Sequence, residues 1–305
     1  MLYNHKKLGG AMITSYTNIC FSEQNTWETN VIENLGKQTA VFVCIDEYPE
    51  QYRNNLKYIE SNCKIYISKE VHEISKINLF YEQISKDFDF FVSTQKRMFA
   101  HEAFSNVPPT KKYNIPVFIN WCEPLPIEKK KENYLLTKQN KISFMPGKKN
   151  FLIGHRLRHH IYDKIKNRRN VINNNFVLYP SSTWVEDKKS IFENNQYSII
   201  IENIHTPGYM SEKIVDCLLR GSIPIYWGAN DVIQEYFDTK TVLFFDSESQ
   251  FENIVNNIAT DAFYKSNIES IINNMIICEK NLDKGKDKIN PFYYYFINNI
   301  LKNIL

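Results

Sequence analysis

Several things are missing from this 305-residue chain, and each absence removes a class of function. None of the six cysteines (Cys20, Cys44, Cys63, Cys122, Cys217 and Cys278) forms a Cys-x-x-Cys pair, and no Cys/His cluster has zinc spacing. The thiols are expected to be reduced and mostly buried, as in a cytoplasmic protein. No apolar run reaches the roughly 18 residues that span a bilayer. The first residues, MLYNHKKLGG, hold no signal-peptide hydrophobic region, so neither a transmembrane segment nor secretion is expected. Internal repeats and low-complexity segments are absent too. The formal net charge is only +3, too small to argue for nucleic acid. A local basic patch for a phosphate-bearing small molecule fits it better.

What is present is an ordinary globular balance, 43% hydrophobic and 23% charged, in a chain long enough for two domains. The 19 Tyr and 20 Phe suit sugar faces, although core packing accounts for most of them. In the first half, Ala40–Ile45, Lys64–Ile67 and Phe88–Val92 read as short buried strands, with a helical spacing of apolar residues over Glu47–Ser61. Strand, helix, strand implies a parallel sheet. Residues 126–141, inside the Pro- and Lys-rich Pro124–Lys141, read as a linker between an N-terminal domain (1–125) and a C-terminal one (142–305). The second half predicts strands at Ile142–Met145, Tyr197–Ile201, Ile223–Trp227 and Val242–Phe245. It predicts helices at Arg156–Lys166, Ser211–Arg220, Phe251–Ile258 and Tyr264–Leu282, and a terminal helix in Pro291–Leu305. That last segment is read as packed on a domain, with a peripheral membrane contact as the alternative. Two α/β domains facing a central cleft are expected.

Residues 197–245 carry the chemistry. A strand runs into Glu202-Asn203, a loop holds His205, Pro207, Gly208 and Tyr209, and a helix opens at Ser211 with Glu212 and Lys213 in its first turn. The loop sits at the strand's C-terminal end, where open α/β sheets bind ligands. The helix start offers unpaired N–H groups and a positive dipole end to an anion. Lys213 there is unfavourable for the helix alone; a bound diphosphate reverses that sign.

This run resembles the signature of glycosyltransferase family 10, the α-1,3/4-fucosyltransferases. That family has a strand, Glu-Asn, a Tyr seven residues after the Glu, then Thr-Glu-Lys opening a helix and Pro-Ile/Val-Tyr-x-Gly. Glu202 to Tyr209 keeps the spacing, Ser211-Glu212-Lys213 stands for Thr-Glu-Lys, and Gly221–Gly228 matches the second block. The departures are Ile201 for Phe, Ile204 for Ser or Thr, and Ser211 for Thr, the last keeping the hydroxyl. Upstream, Arg158 opens Arg-His-His-Ile-Tyr-Asp-Lys-Ile, similar to the family helix whose Arg binds the donor pyrophosphate; Arg156 competes for that role.

The resemblance implies a GT-B type fold of two Rossmann-like domains facing a cleft, the N-terminal one binding mainly the acceptor and the C-terminal one the GDP-sugar. It also implies an inverting transfer of fucose from GDP-fucose to a hydroxyl of a saccharide or glycan acceptor, with no essential metal or other cofactor. It places the donor diphosphate on Lys213, Arg158 and the Ser211 helix start, and donor hydroxyls on Glu212. Tyr209 packs on the donor or hydrogen-bonds it, while Glu202 and Asn203 hold the loop. An inverting transfer needs a general base. By the same resemblance it is Glu70, with Glu73 second, in Lys64–Glu73. Two alternatives stand beside this reading. One is a metal-dependent transferase using another nucleotide-sugar through Asp87-Phe88-Asp89, a pattern better read as structural. The other is a non-catalytic carbohydrate-binding protein that keeps the fold.

Overall fold

The computed structural model of the chain describes residues 6–8, 11–16, 41–45, 63–68, 77–114, 122, 125, 131–167, 175–181 and 188–282. The candidate bases Glu70 and Glu73, the candidate helix 47–61 and the aromatic tail 291–305 lie outside them. Chain contacts define two compact units, Met1–Val117 with Lys284–Leu305, and Phe118–Asp283.

The first unit holds a six-stranded sheet in chain order: β1 (Lys6–Leu8), β2 (Ala11–Tyr16), β3 (Val41–Ile45), β4 (Cys63–Ser68), β5 (Phe90–Ser93) and β6 (Lys112–Asn114). β1 and β2 are antiparallel; every later pairing is parallel. Helix α1 (Tyr81–Asp87) packs Tyr81 and Ile84 with Tyr66, Phe91 and Phe104. The strand expected over Phe88–Val92 begins two residues later. Asp87 is the last residue of α1, its Oδ2 accepting from Gln83 at 2.7 Å, and Phe88 caps the helix in extended conformation. Asp87 and Asp89 therefore do not straddle a strand.

The second unit is a five-stranded, all-parallel sheet built from β7 (Gln139–Phe144), β8 (Phe176–Leu178), β9 (Asn195–Ile201), β10 (Ile223–Trp227) and β11 (Leu243–Phe244). Across the sheet they run β8-β7-β9-β10-β11, so the order reverses between β7 and β9. All residues of β9 and β10 are buried, as expected of parallel strands covered on both faces. Alternation sends Tyr197, Ile199, Ile201, Ile225 and Trp227 to one core and Ile200 and Tyr226 to the other.

Helices α2 (Lys131–Leu136), α3 (Ile153–Asn167), α4 (Lys189–Glu193), α5 (Glu212–Leu219), α6 (Asn230–Tyr236), α7 (Glu248–Asn253), α8 (Asp261–Ser266) and α9 (Ile268–Leu282) surround this sheet. Three sequence expectations change. Residues 131–141 of the expected linker are α2 and the start of β7. Leu135 is fully buried, and the buried Lys138 amine donates to the carbonyls of Phe192 (2.5 Å), Glu193 (3.0 Å) and Asn195 (3.3 Å). The helix expected at Phe251 starts at Glu248 under a Ser247/Gln250 capping box and runs into a π-turn over Ile254–Ile258. The helix expected over Tyr264–Leu282 is two, α8 and α9, parted at Asn267, whose amide donates to the Phe263 carbonyl. No helix among the described residues is long and apolar enough to cross a membrane.

Candidate functional site

In open α/β sheets the crevice between strands at which the order reverses is the usual ligand position. In the second unit that place is the C-terminal edge between β7 and β9. A cavity of about 180 Å³ opens there, lined by Phe144–Gly147 after β7, by Ser198–Ile201 of β9, and by Arg158, Lys188, Glu212, Lys213 and Asp216.

The helix start that borders the cavity is built by the loop after β9. Ser211 is extended (φ −127°, ψ 179°) and its Oγ accepts from the Lys213 amide at 3.4 Å, the N-cap arrangement. Glu202, fully buried, closes the loop. Its Oε1 accepts from the Ser211 amide (2.9 Å) and its Oε2 from the Ser211 hydroxyl (2.6 Å). Gly208, at φ 80°, turns the chain back, and its amide donates to Asp231 Oδ1 at 3.1 Å. Tyr209 is buried in the same loop.

Lys213 Nζ donates to Ser211 Oγ at 2.9 Å, meets Glu212 Oε1 at 3.3 Å and lies 3.7 Å from Glu202 Oε2. Burial pushes the Glu212 carboxyl up, but the Lys213 charge and hydrogen bonds from its own amide and from Lys213 hold it below the ordinary value. Glu212 is an ionised group at the mouth, 29% exposed, with acceptor capacity for hydroxyls.

Arg158 comes from α3, and its guanidinium is locked from behind. Nε and Nη2 donate to the Ile201 carbonyl at 2.8 and 2.6 Å, and Nη2 also to Asn203 Oδ1 at 2.8 Å. Among the described residues Nη1 has no hydrogen-bond partner, and Arg158 lines the cavity. Burial lowers its pKa, opposed by Glu202, Tyr209 and Glu212; a guanidinium remains charged. Arg156 lies two residues away, about 200° around the helix. It is exposed and donates to the Phe151 carbonyl at 2.8 Å, so the structure does not bring it to the cavity.

Three residues of this arrangement, His155, Gly154 and Asp216, were not singled out from the sequence. His155 Nδ1 accepts from the Leu152 amide (3.3 Å), leaving Nε2–H to donate to Asn203 Oδ1 (3.2 Å). Burial and the Arg158 charge pull its pKa down to about 4, against a smaller upward pull from Asn203, so the ring is neutral at physiological pH. Gly154 lets the start of α3 touch the loop, its amide donating to the Asn203 carbonyl at 3.1 Å. A Cβ there would land on the Glu202 and Asn203 carbonyl oxygens. No spacing rule marks either residue, because both act across some fifty residues of chain. Asp216 is different. It stands one helical turn after Glu212, a relation visible in the sequence, and its Oδ1 accepts from the Cys122 amide at 2.9 Å.

No family model matches the chain. A putative fucosyltransferase of Acanthamoeba polyphaga mimivirus is 32% identical over 94 residues, 30% of this chain and 16% of that protein. An alpha-(1,3)-fucosyltransferase, FucT, of Helicobacter pylori is 28% identical over 80 residues, 26% of this chain and 17% of its own length. The match thus spans about a sixth of each curated relative. A crystal structure of an α1,3-fucosyltransferase with GDP superposes with a TM-score of 0.52 at 14% identity, covering 100% of this chain and 94% of that one. With one all-parallel sheet, one parallel but for its β1–β2 edge, and this full-length likeness, the fold is of the GT-B type.

Proposed function

We propose that the chain is an inverting glycosyltransferase that moves fucose from GDP-fucose to a saccharide hydroxyl. The observation that carries this reading is the convergence of the Arg158 guanidinium, the Lys213 ammonium and the capped start of α5 on one cavity at the strand-order reversal of the second unit. The local resemblance to fucosyltransferases of a giant virus and of a bacterium supports the choice of sugar, and the likeness to a structure holding GDP supports the choice of nucleotide.

Transfer breaks the bond between the anomeric carbon and the leaving oxygen of the diphosphate. Positive charge develops on the sugar ring and negative charge on the diphosphate, so fixed cations and amide dipoles at the diphosphate lower the barrier. Arg158 offers Nη1 while Ile201 and Asn203 hold its other nitrogens. Lys213 exchanges its contacts with Glu212 and Glu202 for the diphosphate oxygens. Glu212 accepts from the ribose diol. The acceptor hydroxyl gives its proton to one carboxylate, for which Glu70 is the first candidate and Glu73 the second. The charge on Arg158 and Lys213 takes the place of a divalent metal in this proposal.

The test is a transfer assay on the full chain with GDP-fucose, GDP-mannose and UDP-sugars against a saccharide panel. Transfer from GDP-fucose that persists in EDTA supports the reading. Loss of turnover in EDTA that manganese restores moves the chain to the metal-dependent class.

A further inference from the structure

A second cavity in the second unit, about 340 Å³, opens by the C-terminal ends of β10 and β11. Its volume is at the small end for ligand pockets, which run from about 300 Å³, and suits a single sugar ring. Part of its lining is apolar: Ile153 and Leu157 of α3, Trp227 at the end of β10, and Phe245. The rest of the lining is polar: Asp246, Ser247, Glu248 and His160, the last beside Glu248. Ile153, the first residue of α3, lines the cavity and is 55% exposed.

The charges select the ligand class. Asp246, 59% exposed, lies 3.5 Å from His205 Nε2, and the His205 ring packs on Trp227 with centroids 5.3 Å apart. Glu248 is held by Lys164 and by His160 at 3.6 Å. Two carboxylates on the wall repel a phosphate or sulfate. No group of three or more His, Cys, Asp or Glu among the described residues is arranged to hold a metal ion. Apolar side chains and carboxylates in one cavity suit a neutral polyol ring, whose C–H face packs on apolar side chains while its hydroxyls donate to carboxylates.

We propose that this cavity is a carbohydrate subsite that takes a neutral pyranose unit of the acceptor, its C–H face on Ile153, Leu157 and Trp227 and its hydroxyls on Asp246 and Glu248. Acceptor is the word that rests on the donor reading; the binding itself does not. The loop after β9 serves both cavities. Asn203 holds Arg158 on one side and His205 holds Asp246 on the other, so a sugar on Asp246 lies one loop away from the nucleotide site.

The test is saturation-transfer NMR on the full chain, with methyl β-glycosides of D-glucose, D-galactose and N-acetyl-D-glucosamine as probes, beside a calorimetric GDP titration. The expected result is transfer to the ring protons of at least one probe. It should weaken about tenfold or more in Asp246→Ala, the loss of a charge-assisted hydrogen bond, and in Ile153→Trp, which fills the mouth. GDP affinity should stay within about twofold in both, since neither side chain lines the donor cavity; the tenfold criterion stays with the charge-assisted bond. Absence of signal for all three probes, or signal unchanged in both variants, overturns the proposal. If GDP itself fails to bind the parent chain, the donor reading falls separately, and the sugar signals still decide this one.

Discussion

Replacing Ser211 with alanine tests the architecture of the loop after β9 through one oxygen atom. That oxygen donates to the fully buried Glu202 carboxylate at 2.6 Å, caps α5 through the Lys213 amide at 3.4 Å, and accepts from Lys213 Nζ at 2.9 Å. A hydrogen bond to a charged group is worth about 1.5–3 kcal/mol, and its loss leaves a buried acceptor short of a partner. The cap bond is long, so its share is at the low end of the usual range, about 0.5 kcal/mol. Together Ser211→Ala is expected to destabilise the second unit by about 2–3.5 kcal/mol. Ser211→Thr, which keeps the hydroxyl, should retain most of that stability. Urea unfolding followed by circular dichroism gives the total, and hydrogen exchange of the α5 amides assigns it to the second unit. A loss under about 0.5 kcal/mol for Ser211→Ala, within the range of an ordinary surface change, would refute the reasoning, as would a Thr variant no better than the Ala variant.

Three further outcomes follow from the same geometry. Gly154→Ala drives a methyl into the Glu202 and Asn203 carbonyls and should cost about 1–3 kcal/mol of stability as well as GDP affinity, read by urea titration and calorimetry; parent-like values in both would show that α3 does not rest on the loop. His155 stays neutral in the folded chain down to a pKa of about 4, whereas the unfolded chain takes up its proton near the ordinary 6.5. Stability should therefore fall as pH drops from about 6.5 to 4 and level off below, and thermal melts of His155→Gln should lack that component. Glu70→Gln should keep GDP affinity and lower turnover by about 10²-fold or more, with Glu73→Gln much milder; if kinetics single out Glu73 instead, the base is three residues further on.

The sequence exposed the part of the site that is local. Strand β9, the Glu202–Tyr209 loop and the Ser211 cap lie within one short stretch, so pattern, cap residue and resemblance all bear on the same turn. The choice between Arg156 and Arg158 could not be made that way. It depends on the phase of α3 against β9, and only Arg158 faces the Ile201 carbonyl. Gly154 and His155 were invisible because their partners lie across the fold. Elsewhere composition misled: the Lys and Pro content of residues 126–141 reads as a solvated linker. Yet Leu135 enters the core, and the carbonyls around the end of α4 surround the Lys138 amine, which burial pulls down to about 7. The start of α7 was legible in Ser247 and Gln250 as a capping box, but the apolar spacing after Phe251 drew the boundary later.

The most direct test of the central claim is a calorimetric GDP titration of the intact chain and of Lys213→Ala. The account expects GDP to bind the parent, and the variant, still folded by circular dichroism, to lose about 1.5–3 kcal/mol of binding free energy, roughly 10- to 150-fold in affinity. No GDP binding by the intact chain, or an unchanged affinity in a folded Lys213→Ala, would contradict it.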